Sequence, residues 1–312
     1  MQLAVVVVTY NSSEDLPALL ESIPRQTSRH ELKLIVVDND SSDDSLAVVR
    51  AHRPDAEIVS LNANLGYSAG VNAGWARADD ADALLLLNPD LVVAEDAVDA
   101  WVSALESDGS PRPGIVVPRI VDGDGTRQPS LRRAPTALSA WAEAVLGGTT
   151  AGRIGLGELI VDPAAYDEQH ECAWATGAAM LISRECLAAV GPWDERFFLY
   201  AEETDFCLRA GDAGFVTRLE PSAEVLHRGG DMAVSPPLYA LMTWNRVRLQ
   251  RKRSRPLRSR GVMLGAGAFE AIRWVAGSRR DVRRAALLVL FRPGRRSHVL
   301  PPPTDLDWNG KN

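Results

Sequence analysis

Four polar clusters and one histidine carry the residue types that metal, phosphate and sugar chemistry needs. Asn88-Pro89-Asp90 directly follows the apolar run Leu84–Leu87. A carboxylate at a strand end can hold Mg2+ or Mn2+, which take oxygen ligands and bridge diphosphate oxygens. The same tripeptide is also good turn chemistry. Asp38 ends Val36-Val37-Asp38-Asn39, where a carboxylate can accept hydrogen bonds from a base or a ribose. Beside it, Asp40-Ser41-Ser42 is equally rich in helix-capping residues. Asn64 through Asn72 sets Gly66 and Gly70 among small residues, so backbone N–H groups there can approach a phosphate or a sugar, or simply pack a helix. The segment is neither a G-x-G-x-x-G fingerprint nor a P-loop. Tyr200 through Asp205 groups three carboxylates, Glu202, Glu203 and Asp205. Crowded carboxylates raise one another's pKa, which suits a general base acting on a hydroxyl. Acids at a helix N-terminus have a plain electrostatic reason as well. His227 ends the short run Glu224-Val225-Leu226 and reads as a structural histidine or as a further metal ligand.

The elements that must position these residues follow from hydrophobic patterning. Leu3–Val8, Leu32–Val37, Glu57–Leu61 and Ala83–Leu87 read as strands, largely continuous in apolar residues, as strands buried on both faces are. Helical patterns lie between them. One carries Leu16, Leu19, Leu20 and Ile23 and is capped by Ser12 or Ser13. A second runs through Ala47–Arg50, and a third lies within Asn64–Ala78. This alternation predicts an α/β domain with a mainly parallel sheet flanked by helices. Ligands bind beyond the carboxyl ends of such strands. Thr9-Tyr10-Asn11, Asp38-Asn39-Asp40 and Asn88-Pro89-Asp90 therefore converge on one rim.

Residues 110–170 read as an irregular flap. Apolar order returns at Ala173–Ser183, then a helix around Glu203–Ala213 and a strand-like Phe215–Leu219. From about Ala240 the pattern is of helices with basic faces, broken near Pro256 and at Arg292-Pro293-Gly294. The run Pro301-Pro302-Pro303 ends any helix.

The 312 residues are 46% hydrophobic and 24% charged, the balance of a globular chain and not of a disordered one. No stretch of about 18 uncharged apolar residues occurs, and the apolar start lacks a basic leader. The expectation is a cytosolic protein. Cys172, Cys186 and Cys207 show no zinc spacing and read as free thiols. The net charge of −7 is unevenly spread: residues 1–244 carry −20 and residues 245–312 carry +13. A basic tail on an acidic body suits an anionic partner.

Taken in order, these segments resemble inverting family 2 glycosyltransferases of the GT-A fold, nearest in pattern to bacterial rhamnosyltransferases of cell-envelope polysaccharide assembly. The matching pieces are Val8 through Asn11, Val37 through Asp43, Asn64 through Asn72, Leu87 through Asp90, Ala175 through Ala178, Gly191 through Phe198, Glu202 through Arg209, and the vicinity of His227. The resemblance implies a nucleotide-sugar-binding half over 1–115, an acceptor-binding and catalytic half over 116–235, and a basic helical extension over 236–312. It implies donor contacts from Thr9, Tyr10, Asn11, Asp38, Asn64, Gly66, Gly70, Asn72, Asn88 and Asp90. Asp90 and His227 would hold a divalent metal, Mg2+ or Mn2+. Glu203 would be the base and Asp205 its runner-up, with Trp174, Thr176, Gly177 and Glu202 on the acceptor side. Family members often carry Glu-Asp where this chain has Glu202-Glu203, and an acid where it has Asn88. The implied donor is dTDP-rhamnose, with UDP- or GDP-sugars as alternatives, and the implied acceptor a saccharide or a polyprenyl-linked one.

Residues 246–260 hold eight Lys and Arg in fifteen positions, with apolar stretches following. This suits a peripheral helix on the inner face of the cytoplasmic membrane, or an ordinary solvated helix pair. The acidic body and the lack of a recognition motif argue against nucleic acid. Two other functions fit the fold class: a sugar-phosphate nucleotidyltransferase and a non-catalytic sugar-nucleotide scaffold. The first usually carries a Gly-rich basic loop after its first strand, and Thr9-Tyr10-Asn11 is not one.

Overall fold

The computed structural model describes residues 1–23, 29–78, 80–107, 111–228, 235–292 and 296–300. By compactness the chain divides into two units. The first is Met1–Arg132, Asp162–Phe198 and Glu202–Gly230; the second is Arg133–Val161, Leu199–Ala201 and Asp231–Asn312.

The strands are β1 (Gln2–Thr9), β2 (Glu31–Asp38), β3 (Glu57–Ser60), β4 (Ala83–Leu87), β5 (Leu91–Val93), β6 (Pro113–Val121), β7 (Arg127–Gln128), β8 (Leu131–Arg132), β9 (His170–Cys172), β10 (Trp174–Ala175), β11 (Ala179–Ser183) and β12 (Val216–His227). The helices are α1 (Leu16–Ser22), α2 (Ser45–His52), α3 (Tyr67–Trp75), α4 (Ala97–Leu105), α5 (Ala137–Leu146), α6 (Gly148–Arg153), α7 (Arg184–Val190), α8 (Glu202–Asp212), α9 (Pro236–Arg253), α10 (Pro256–Val275), α11 (Arg280–Phe291) and α12 (Arg296–Val299).

One sheet runs β3-β2-β1-β4-β11-β6-β12-β5, with β7 on β6 and β9 on β12. Strands β3, β2, β1 and β4 are parallel, as the alternating pattern requires. Strand β11 enters antiparallel between β4 and β6, and β6 pairs parallel with β12. The β1 and β4 side chains are fully buried over Val5–Val7 and Ala83–Leu87. A cluster including Leu16, Leu19, Leu20 and Trp101 packs against this sheet. Helix α3 lies directly on β1 because two glycines one turn apart face it. A Cβ at Gly70 would meet Val8 at 2.5 Å, and one at Gly74 would meet Val6 at 2.5 Å.

Two expectations need correction. Residues 110–170 are not an irregular flap: they hold the central strand β6 and the helices α5 and α6. Two prolines, Pro113 and Pro118, break the strand pattern on paper. Pro118 is tolerated because β11 pairs β6 only at Ile115 and Val116, short of it. Neither Ser12 nor Ser13 caps α1 with its side chain; the N-cap is Asp15, without a side-chain cap bond. The Ser12 N–H instead donates to Ser45 Oγ at 2.8 Å.

In the second unit, α9 ends at Arg253 and α10 begins at Pro256, as the proline there predicts. Arg246 is ion-paired with both Glu143 and Glu158. Arg283 pairs with Glu270 at 3.0 Å, and Tyr239 donates to Glu270 at 2.8 Å. Pro293-Gly294 and Pro301-Pro302-Pro303 lie outside the described residues.

Candidate active site

The rim forms because the strands end together. Thr9 is the register partner of Asp38, Asp38 of Ser60, and Val7 of Leu87. Asn88 through Asp90 therefore emerge beside Thr9 and Asp38. Strand β11 runs antiparallel, with Ala179 opposite Leu87, so Gly177 and Ala178 enter from the same edge. The Asn88 N–H donates to the Ala178 carbonyl at 2.8 Å.

On the β1–β2 side, Asp38 is buried and accepts from the Ser41 N–H at 3.3 Å. Asn11, at φ 51°, accepts from the Ser42 N–H at 2.8 Å and donates its own N–H to Ser41 Oγ. Thr9 is buried and Tyr10 is half exposed. Asn39 donates to Asn64 Oδ1 at 2.9 Å and accepts from the Leu65 N–H at 2.8 Å, while Asn64 Oδ1 also accepts from the Gly66 N–H. These amides fix the loop into α3. Gly66 is required there: its φ is +88°, and a Cβ would lie 2.4 Å from the Phe198 carbonyl oxygen.

The centre of the site is Asp90 and His227. Asp90 Oδ2 lies 3.1 Å from His227 Nε2, and His227 Nδ1 lies 3.3 Å from Gln128 Oε1. Strand β12 delivers His227 opposite Leu91 of β5, one residue past Asp90. Asp90 Oδ1 is buried with no hydrogen-bond partner, as an oxygen kept for an ion would be. Among the described residues, no three His, Cys, Asp or Glu group together to cage a metal. Asp90 and His227 are the residues that would hold a Mg2+ or Mn2+ ion here.

Tyr67 links this centre to the acids of α8. Its hydroxyl donates to Asn88 Oδ1 at 3.1 Å. Burial first, then the charges of Glu202, Glu203 and Asp90, hold its phenol well above the ordinary range. Glu202 is 5% exposed, and its Oε2 has no hydrogen-bond partner. Burial, then the charge of Glu203, holds the Glu202 carboxyl well above the usual carboxylate range. Glu203 packs on Gly177: a Cβ there would meet Glu203 Cβ at 3.0 Å. Asp15 joins the cluster. Burial, then the nearby charge of Asp90, raises its carboxyl, with Arg228 opposing.

Other residues singled out in the sequence are engaged by protein. Asn72 donates to the Trp193 carbonyl at 3.0 Å and to Glu195 at 2.9 Å, and accepts from the Trp193 N–H. Trp193 stacks on Phe206 at 4.8 Å and meets Tyr67 edge-on at 6.4 Å. Gly70 faces Val8. Asp205 is fully buried and ion-paired with Arg209 at 2.8 Å, whose other nitrogens hold the Val190 and Pro192 carbonyls. Thr176 donates its N–H to the Ser130 carbonyl, and the Arg132 guanidinium lies over Trp174.

The profile described as "Glycosyl transferase family 2" matches residues 4–154. An N-acetylglucosaminyl-diphospho-decaprenol L-rhamnosyltransferase of Mycobacterium tuberculosis is 33% identical over 242 residues, 72% of this chain and 75% of the relative. The chain belongs to glycosyl transferase family 2. Solved structures agree on the GT-A fold. GalNAc-T7, determined with UDP, GalNAc and Mn2+, has a TM-score of 0.58 at 17% identity over 80% of this chain; the chain spans about half (48%) of that protein. The mannosyltransferase PcManGT from Pyrobaculum calidifontis, with GDP-Man and Mn2+, has a TM-score of 0.55 at 17% identity over 94% of this chain and 81% of its own.

For this family 2 glycosyltransferase, reading by residue type missed Asn39, Tyr67 and Asp15. Tyr67 lies within Asn64–Asn72, and its largely apolar side chain signals no role in the sequence. Asn39 sits one residue past the strand-end acid, and its partner Asn64 is twenty-five positions away.

Proposed function

We propose that this glycosyltransferase moves rhamnose from dTDP-rhamnose to a lipid-linked saccharide, with inversion at the anomeric carbon. The observation that carries the reading is one arrangement. The Asp90–His227 pair stands at the strand rim, with Tyr67 between it and the Glu202–Glu203 carboxylates. The choice of sugar and acceptor is supported by the rhamnosyltransferase relative.

Asp38 accepts from the nucleoside, while the loop of Asn64 and Gly66 and the Thr9-Tyr10-Asn11 segment flank the diphosphate. Asp90 and His227 would hold a divalent ion, which when bound would offset charge on the departing diphosphate. Glu203 accepts the proton of the acceptor hydroxyl as that oxygen bonds to the anomeric carbon. The bond from the anomeric carbon to the diphosphate oxygen breaks, and dTDP leaves with the electron pair. Burial holds the Glu202 carboxyl well above the usual carboxylate range, so the base role is assigned to its neighbour Glu203. Trp174, Thr176 and Gly177 lie on the acceptor side.

Thermal-shift screening tests the donor: dTDP-rhamnose with Mn2+ should stabilise the protein more than UDP- or GDP-sugars. At one hundred times Kd the gain is about 2.7 kcal/mol. Transfer of rhamnose to a lipid-linked N-acetylglucosamine diphosphate tests the acceptor. No stabilisation by any nucleotide sugar with Mn2+ would refute the proposal.

A further inference from the structure

Among the described residues, every exposed large hydrophobic side chain except Tyr10 and Leu65 belongs to the second unit. Nine of these thirteen lie on two helices, α5 and α10. On α5, Leu138, Trp141 and Val145 recur at three- and four-residue spacing, one face of a helix. Leu138 is 65% and Val145 70% exposed. On α10, Leu257, Leu264 and Val275 also share one face, and Leu257 is 80% exposed. The two helices meet through glycines: Gly261 lies against Ala137, and Gly265 against Ala140 and Trp141. This sets Trp141 beside the turn of α10 that carries Leu264. Exposed apolar residues gathered on two packed helices mark an interaction site.

The charge around it has one sign. The acids of this unit are spent internally: Glu143 and Glu158 on Arg246, and Glu270 on Arg283. Among the described residues of the unit, Asp281 is the one exposed acid. Against it stand the exposed Arg251, Lys252, Arg253, Arg255 and Arg260 around the α9–α10 junction, and Arg280 and Arg284 on α11. No described helix is long and apolar enough to cross a membrane. An apolar face rimmed by arginines fits a bilayer surface: aliphatic and indole groups enter the headgroup region while guanidiniums meet lipid phosphates.

We infer that α5 and α10 form a docking face for an anionic phospholipid surface. The segment 133–161, inserted between the halves of the sheet-bearing unit, supplies half of this face. The proposal is independent of the sugar and the acceptor.

The test is co-sedimentation of the full chain with vesicles, without donor or acceptor. Binding is expected to vesicles containing phosphatidylglycerol, and binding to phosphatidylcholine alone should be at least about tenfold weaker. Raising the salt to roughly 0.5 M should weaken binding, because it screens the charge. A triple variant, Leu138→Glu with Val145→Glu and Leu257→Glu, should bind at least about tenfold less. All three positions are exposed, and circular dichroism checks the fold. If that variant does not fold, Arg253→Ala with Arg255→Ala and Arg260→Ala should give the same loss. Wild-type binding that ignores lipid charge, or that survives both variants, would overturn the inference. So would a dimer in lipid-free buffer that the apolar variant dissolves, because a second copy would then cover the face.

Discussion

Replacing Gly177 with alanine tests whether Glu203 must be held in place. The added Cβ would lie 3.0 Å from Glu203 Cβ and 3.3 Å from its Cγ. Contacts that close are relieved when the neighbour gives by a few tenths of an ångström, so Glu203 must retreat by about that much. A misplacement of about 1 Å at a reacting group costs on the order of a hundredfold in rate, about 2.7 kcal/mol. A shift of a few tenths of an ångström scales this down, and we expect Gly177→Ala to lower kcat by roughly three- to tenfold. The KM for the donor should hold, because Gly177 lies on the Glu203 side of the site. The assay is release of the nucleoside diphosphate in the presence of acceptor, with a thermal midpoint to show that the fold survives. A folded variant with kcat within about twofold of wild type would refute the positioning of Glu203 as base. An unchanged kcat with a raised acceptor KM would show that Gly177 acts through acceptor binding and not through the placement of Glu203.

Asp90→Ala and His227→Ala should each abolish the thermal shift that Mn2+ adds to nucleoside diphosphate, with activity falling at least about a hundredfold; a retained shift would place the ion elsewhere. Glu202→Gln should raise the melting temperature at pH 8 and leave it nearly unchanged near pH 4. A carboxyl whose pKa is raised by folding stabilises below its unfolded value and loses that contribution as pH rises through the folded value. A gain of about 2 °C or more at pH 8 is expected, and equal curves across pH would contradict a neutral Glu202. Gly66→Ala should destabilise by roughly 3 kcal/mol or more in chemical unfolding, since both φ and the Phe198 carbonyl oppose a Cβ. Arg209→Met should cost about 3 kcal/mol in the same assay, because it removes the ion-pair partner of the fully buried Asp205.

The strands that frame the site were legible because a strand buried on both faces leaves a continuous apolar record. Leu3–Val8 and Ala83–Leu87 therefore predicted β1 and β4, and the rim followed from topology. Strand β6 left no such record: Pro113, Pro118 and Arg119 interrupt it, and only its neighbours in the sheet show why they are tolerated. Within the site, residue type marked Asp90, His227, Glu202 and Glu203, which the fold brings together. It did not separate them from Asn72, Gly70 and Asp205, which also make close contacts with other protein groups. Hydrogen-bond partners twenty or more positions apart, such as Asn39 with Asn64 and Tyr67 with Asn88, follow no spacing rule.

Asn88 changes meaning in this light. As a sequence feature it looked like a lost acid, leaving fewer carboxylates for a metal. In the structure its Oδ1 accepts the Tyr67 hydroxyl, and its N–H is tied to Ala178. Around Tyr67 already stand Asp90, Glu202 and Glu203. Two like charges about 4 Å apart repel by about 4 kcal/mol at an effective dielectric of 20. An aspartate at position 88 would accept the same hydroxyl but add its charge to that group. Like charge added there would raise the Glu202 carboxyl further still. The amide keeps the hydrogen bond that orders the rim without that charge. In the proposed reaction, ion binding then rests on Asp90, whose Oδ1 has no hydrogen-bond partner, and on His227 beside it.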